Sequence, residues 1–246
     1  MYKLSIFLFL LFCSFLPGQD FISEQKKFER VRKTFTEKEK TIVKTLDLKN
    51  IPLNEIEIIL IAYKHEAQLE LYGKKKSGSS YQLLETYEIC SSSGNLGPKR
   101  KQRDNQVPEG FYHIDRFNPT SNFYLSLGVS YPNQADKRKS TASDLGGDIF
   151  IHGSCVTIGC MPMTDDKIKE IYLYAIHARQ GGQAKIPVYI FPFKMTDENF
   201  RIHSENFNRN KDLVNFWTNL KSGFDKFQRE KKELKCTISK TGDYIF

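Results

Sequence analysis

Residues 151–160 read IHGSCVTIGC, and two of them could do chemistry together. Cys160 lies eight positions after His152. The thiolate is the attacking form of cysteine, and a neighbouring imidazole can both create it and return the proton to a leaving amine. Gly153, Ser154, Thr157 and Gly159 lie between them and allow a turn tight enough to bring the side chains together. Gly159 leaves the backbone unencumbered just before the thiol, so the amides of Gly159 and Cys160 are candidates to face a developing oxyanion. Two other readings use the same residues. His152, Cys155 and Cys160 could ligate zinc with His113, His177 or Cys236 as a fourth ligand, although the apolar Val156 and Ile158 interleave the two cysteines. Alternatively, the cysteines are small buried residues and His152 is a satisfied core histidine.

Whichever reading holds, other elements must position this segment. IFIHG is a short apolar strand ending at the imidazole. After the thiol, Thr164 is a helix N-cap with Asp165 and Asp166 in the first turn. Ile168, Ile171, Tyr172, Ala175 and Ile176 then form a buried stripe, and Gly181-Gly182 ends the helix. Upstream, 55–63 and 67–72 predict a hairpin around 64–66, and YQLLETYEIC a third strand. PEGFYHIDRF, NFYLSLGVSY and IPVYIFPF are further strands, rich in aromatic and β-branched residues. SSSGNLGPKRKQRDNQ and PNQADKRKSTASDLGGD read as polar loops, and His203 falls in a polar connection after FPFKMTDENF. A helix over 212–231 carries Leu213, Phe216, Trp217, Leu220, Phe224 and Phe227 on one side, and CTISKTGDYIF closes as a hairpin. Phe28, Val31, Phe35, Ile42 and Leu46 mark one or two amphipathic helices over 21–49. Strands fill the middle and helices the periphery, which predicts a mainly β, α+β fold.

The amino terminus indicates where such a protein would work. After Lys3 an apolar run extends from about Leu4 to Leu16, and Pro17-Gly18 breaks it. That is long enough for a signal-peptide core and short of the roughly 20 residues of a spanning helix. An uncleaved anchor is the alternative. Residues 1–18 are therefore expected to be a signal peptide, 19–50 a helical lead-in and 51–246 the catalytic domain. Export to the periplasm or envelope follows, with no nucleic-acid partner and no membrane span once the signal is removed. A net charge of +8 suits an anionic partner, such as a cell-wall polymer. Apart from Cys13, the chain has Cys90, Cys155, Cys160 and Cys236. Four cysteines allow two disulfides in three pairings, and a catalytic thiol leaves at most one.

The segment IHG…TIGCMPM resembles the signature of the YkuD-type L,D-transpeptidases, in which I-H-G is followed by [ST]-x-G-C and an apolar-x-Met triplet. VPEGFYHI is similar to that family's T-P-x-G-x-F strand. The runs CSSSGNLGPKRKQRDNQVPEGFYHIDRFNP, LSLGVSYPN, DIFIHGSCVTIGCMPMTD and VYIFPF resemble its YafK-like branch, which has a shortened His-to-Cys loop and a second Cys within it. The resemblance covers about 51–193 and implies a β-sandwich or barrel domain of the YkuD type. It implies Cys160 as nucleophile, His152 as base, and Gly159 and Cys160 as oxyanion donors, with no metal and no cofactor. The implied partners are peptidoglycan stem peptides, attacked at an L,D-amide to give a thioester that an amine or water then resolves. A hydrolase or amidase of the same fold, or a non-catalytic wall-binding module, are the competing functions. Pro162 stands where the wider family usually has an Arg after the Cys, so carboxylate recognition falls to another group. Lys99 and Arg100, in the basic loop up to Arg103, are the candidates for it. Tyr131 and Asn133 of SYPN line the site by family analogy. The Asp104-Asn105-Gln106 loop departs from the branch's Gly-rich turn, and the resemblance gives Cys155 no chemical role.

Overall fold

The structure is a computed structural model that describes residues 20–246; the signal-peptide reading of 1–18 lies outside the described residues. Its frame is one eight-stranded mixed sheet. The strands are β1 (Ile56–Tyr63), β2 (Gln68–Lys75), β3 (Gln82–Glu88), β4 (Gly110–Asn118), β5 (Ser126–Val129), β6 (Ile149–His152), β7 (Met161–Pro162) and β8 (Pro187–Phe191). They lie in the order β3-β2-β1-β8-β4-β5-β6-β7. The expected hairpin is β1 with β2, joined through residues 64–67. Two pairs are parallel, β1 with β8 and β6 with β7. Strand β4 belongs to both halves of the sheet. Its residues 110–113 pair with β8 and 114–118 with β5, and the register breaks between Ile114 and Arg116. A bulge there bends the strand and curls the sheet, carrying β5, β6 and β7 around toward the site. The result is a curled mixed sheet with covering helices, an α+β fold.

The central strands are apolar on both faces because both faces are covered. In β1, Ile58, Leu60 and Ala62 enter one core, while Ile59, Ile61 and Tyr63 enter the other. In β8, Val188 and Ile190 are divided in the same way from Tyr189 and Phe191. The first core is roofed by α2 (Glu29–Asp47) and α4 (Asp165–Gln180), with α1 (Phe21–Lys26) beside them. Val31, Phe35, Ile42 and Leu46 of α2 are buried there, whereas Phe28 is exposed. The helices expected over 21–49 therefore pack on α4 and share the core of the sheet. The second core is roofed by α6 (Lys211–Glu230), which buries Phe216, Trp217, Leu220, Phe224 and Phe227. Each large apolar side chain removed from water contributes on the order of 1.5–3 kcal/mol. The five large residues on α6 make that helix integral to the fold.

Helix α4 begins and ends at the expected residues. The Thr164 hydroxyl accepts from the Lys167 amide, and Gly181 caps the other end. Two further helices occupy segments expected to be loops. Helix α3 (Gln134–Lys139) starts on a capping box in which the Asn133 side chain accepts from the Asp136 amide and the Asp136 carboxylate accepts from the Asn133 amide. Helix α5 (Asp197–Asn206) is capped by Thr196 and buries none of its residues, so His203 is helical. Both helices lack an apolar stripe. Caps start them, and caps leave no periodic signal. A two-stranded hairpin, β9 (Thr237–Ile238) with β10 (Tyr244–Ile245), closes the chain as expected.

Candidate active site

Strand β6 delivers His152 as its last residue, and Cys160 immediately precedes β7. The parallel register pairs Ile151 with Met161 and His152 with Pro162. Ile151 and Met161 both point into the first core. Side chains alternate along a strand, so His152 and Cys160 lie on the opposite face of the same pair of strands, as diagonal neighbours. The backbone bends after His152 and again just before Cys160. Gly153 is buried, and a β-carbon there would meet Asp165 Oδ1 at 2.6 Å and the Phe123 carbonyl at 2.8 Å. The same Asp165 oxygen accepts from the Ser154 amide, which fixes the loop to the start of α4. Gly159 has φ +129° and lies against the Gln106 carbonyl, so both its conformation and its space require glycine.

The turn that presents the thiol is closed by Thr157. Its hydroxyl accepts from the amides of Gly159 (3.2 Å) and Cys160 (2.9 Å) and donates to the Cys160 carbonyl (2.8 Å). Thr157 is therefore the acceptor, in this arrangement, for the two amides expected to serve an oxyanion. The amides of Gly159 and Cys160 already have an acceptor within their own turn and do not face the cleft unpaired. The Cys160 thiol itself donates to the Asp148 carbonyl at 3.6 Å. Burial raises its pKa; the Phe150 backbone and the Lys99 charge oppose that rise, and Asp148 adds to it.

His152 is almost wholly buried, at 1% exposure, under the ring of Phe123, whose centroid lies 4.7 Å from its own. Its Nδ1 is 2.5 Å from the Gly153 carbonyl oxygen. A carbonyl can only accept, so Nδ1 carries the proton and Nε2 keeps a free lone pair. Burial lowers the imidazole's pKa, and the bond to Gly153 partly offsets this. With the thiol pushed up and the imidazole pushed down, the resting pair is neutral. No hydrogen bond joins imidazole to thiol in this arrangement; such bonds commonly tighten only when substrate is bound.

Cys160 opens into a cleft of about 300 Å³. One wall comes from the β1–β2 turn, with Lys64 and His65, and another from residues 91–96. Among the described residues, no carboxylate lines it. Lys64 donates to the carbonyls of Gly97 and Val107 and to Glu109 Oε1. Glu109, with 0% exposure, also accepts from the Gly97 amide and from Trp217 Nε1. This buried pair has its hydrogen bonds filled and pins the 91–97 segment and α6 to the sheet. His65, by contrast, is exposed and rests edge-on to His203, which is stacked on Phe193. Sequence reasoning gave His65, Lys64 and Glu109 no role. Their sign is topological, because the hairpin turn reaches the cleft only through the strand order.

The four residues expected to contact substrate are not among those lining this cleft. Lys99 is buried and donates to Asp104 and the Lys101 carbonyl. Arg100 is paired with Asp136 at 2.9 Å and lies over the ring of Phe216. Tyr131 is buried, with its hydroxyl donating to the carbonyls of Lys99 and Leu145. Asn133 caps α3 and donates to Phe111 and Tyr244. Three of the four are held by two carboxylates, Lys99 by Asp104 and Arg100 and the Asn133 amide by Asp136, and Tyr131 is held by backbone carbonyls. Asp104 accepts from three backbone amides as well as Lys99, which explains how it replaces a Gly-rich turn. Asp136, buried beside Tyr112 and Arg100, has its pKa raised by burial to about 6.

Cys90 and Cys155 form a disulfide, and Cys160 and Cys236 are free. The zinc reading loses Cys155 as a thiolate ligand by this bond. His113 shares a hydrogen bond with Ser130, and His177 packs edge-on to Phe35 inside the helical layer, so neither approaches the thiol's cleft.

Residues 57–190 match the sequence model of the YkuD L,D-transpeptidase catalytic domain. The chain belongs to the YkuD L,D-transpeptidase family. The matched span runs from β1 into β8 and contains both His152 and Cys160. Among curated proteins, this YkuD chain is 41% identical over 172 residues to the "Putative L,D-transpeptidase YafK" of Escherichia coli K12, with the same figures for that of strain O157:H7. The alignment covers 69% of this chain and 66% of those relatives, just under two thirds of their length. Solved structures similar to it include the following two. One is the helical cell shape determining protein Pgp2 from Campylobacter jejuni (TM-score 0.45, 18% identity, 74% of this chain and 73% of that one). The other is Bd1075 from Bdellovibrio bacteriovorus (TM-score 0.40, 22% identity, 56% and 48%).

Proposed function

We propose that the protein is an exported, cysteine-dependent L,D-transpeptidase acting on peptidoglycan stem peptides, with Cys160 as nucleophile and His152 as base. One observation carries the reading: a thiol and an imidazole with a free Nε2 share one face of two adjacent strands, with the thiol at a cleft, in a YkuD-family chain. Residues 1–18 serve as the signal peptide and 51–246 form the catalytic domain, against which the helices of 19–50 pack.

The reaction begins with a neutral pair. The thiol leaves the Asp148 carbonyl and turns to His152, whose Nε2 takes its proton as sulfur attacks the carbonyl carbon of the donor amide. The imidazolium is held by Nδ1–H donating to Gly153. It returns the proton to the leaving nitrogen, so the C–N bond breaks, a D-amino acid departs and a thioester remains on Cys160. An acceptor amine then gives up a proton to His152 as it attacks the thioester, and the thiol is restored. Water in place of the amine gives hydrolysis. A net charge of +8 favours approach to an anionic wall.

Incubation with purified muropeptides, read by mass spectrometry, tests this. Cross-linked dimers are expected, and a Cys160→Ser variant should make none, with a fall in rate of at least about 10⁴-fold. Shortened stems without dimers would replace the transpeptidase by a hydrolase of the same site. Stems bound but unchanged would leave a wall-binding module.

A further inference from the structure

Cys155 lies between His152 and Cys160, and Cys90 follows β3 where the chain enters the cleft wall. Their disulfide spans 65 residues of sequence. We infer that this bond positions the nucleophile: it clamps the loop carrying Cys160 to the wall at 89–91, so that the oxidised protein acylates rapidly and the reduced one slowly. The inference rests on Cys160 being the nucleophile.

The loop has few other ties. Val156 and Ile158 are exposed, at 56% and 82%, and bury little that could hold it. Ser154 is fixed to Asp165, and the Thr157 hydrogen bonds are internal to the turn. Between these points the covalent link supplies the long-range restraint. Its other end is firmly placed. The Cys90 amide donates to the Pro162 carbonyl at 3.0 Å, and the Ile89 amide to the Ala67 carbonyl at 2.7 Å. Ile89 and Ser91, on either side of Cys90, line the cleft together with Cys160 and Met161. One bond therefore sets the spacing between the attacking sulfur's loop and the wall a substrate would lie against. A displacement of about 1 Å at a reacting centre can cost on the order of 10²-fold in rate.

Cys155 is also exposed, so the bond is open to exchange. A dithiol transfers two electrons and two protons to it. The S–S bond breaks, Cys90 and Cys155 become thiols, and the reductant closes to its own cyclic disulfide. Cys160 takes no part in the exchange, so the gate is separate from the nucleophile.

The test follows acylation of Cys160 by a carbapenem, using intact-mass spectrometry. The oxidised protein is compared with protein reduced by dithiothreitol and desalted without air, and with a Cys90→Ser/Cys155→Ser double variant. Both altered forms should acylate at least tenfold more slowly at a temperature where circular dichroism shows them folded. Reoxidation should restore the rate of the reduced wild type. A bond that merely stabilises the fold would lower the melting temperature and leave the acylation rate unchanged, which would overturn the inference. Peptide mapping that finds Cys90 and Cys155 unlinked in the native protein would also overturn it. Should the double variant fail to fold, the reduced and reoxidised wild type decides alone. A Cys160→Ser control separates the two readings: an adduct on that variant defeats the nucleophile, whereas wild-type acylation of the double variant defeats only the clamp.

Discussion

Two buried imidazoles sit in different parts of this molecule, His152 at the end of β6 and His177 within α4. Both are nearly inaccessible to water, and burial lowers the pKa of both, that of His177 to about 4. By burial and titration alone they could be exchanged. Their partners differ. His152 has Nδ1 tied to a carbonyl, an aromatic lid and a thiol diagonally across the next strand. His177 lies edge-on to Phe35 between α2 and α4; its Nε2 is 3.6 Å from Glu39, beyond a hydrogen bond, and is buried without a partner among the described residues. Perturbed titration reports desolvation, and only the neighbours say whether a desolvated base has something to deprotonate.

Removing each imidazole in turn puts that contrast under strain. His152→Asn should lower kcat/KM about 10³-fold, within the usual range for losing a general base. His177→Asn should change it less than twofold in protein that remains folded. Comparable losses in the two variants would erase the distinction. The pH profile adds a second check. Because burial lowers the His152 pKa, the acid limb of kcat/KM should fall below the ordinary imidazole value of 6.5. Because burial raises the Cys160 pKa, the alkaline limb should not appear until above the ordinary thiol value of 9.0. A limb rising through pH 7 to 8 would mean that the reactive form is not the neutral pair.

His177 should appear in stability instead. Its folded pKa is depressed from 6.5 to about 4, so the unfolded chain binds the proton first. The associated stability is complete above pH 6.5 and is lost as pH falls toward 4, about 3 kcal/mol at most. Denaturant midpoints measured from pH 7 to 4 should therefore decline in the wild type and decline less steeply in a His177→Leu variant. Equal slopes would place the acid sensitivity elsewhere.

What could be read from the chain follows the same division between local and long-range determinants. The strand that ends at His152, the α4 cap and stripe, the β1–β2 hairpin and the apolar side of α6 are local patterns, and each lies where its spacing indicated. Helices α3 and α5 were hidden because caps rather than buried stripes hold them. Lys99 and Arg100 looked like free cations because their carboxylate partners, Asp104 and Asp136, meet them only in the folded loop. His65 looked inert because its approach to the cleft depends on strand order. The pairing of Cys90 with Cys155 depended on that order too, and three pairings were open to the sequence.

The smallest effect concerns the turn beneath the nucleophile, where Thr157 acts in two opposed ways. Its hydroxyl makes the three hydrogen bonds that orient the Cys160 peptide unit, and it also occupies the two amides that an oxyanion would need. Thr157→Val keeps the shape and removes the hydroxyl. If the equivalent of one to two neutral hydrogen bonds, about 1 kcal/mol each, is spent on orienting the thiol, its loss predicts about a tenfold drop in kcat. Freeing a preorganised oxyanion donor would instead be worth on the order of 10²-fold or more. The drop should win, because amides without the hydroxyl are no longer held in one direction and so are not preorganised. KM should change little, and Thr157→Ser should restore the rate. A Val variant faster than wild type would reverse the assignment, making Thr157 a brake and the amides of Gly159 and Cys160 the oxyanion donors it restrains.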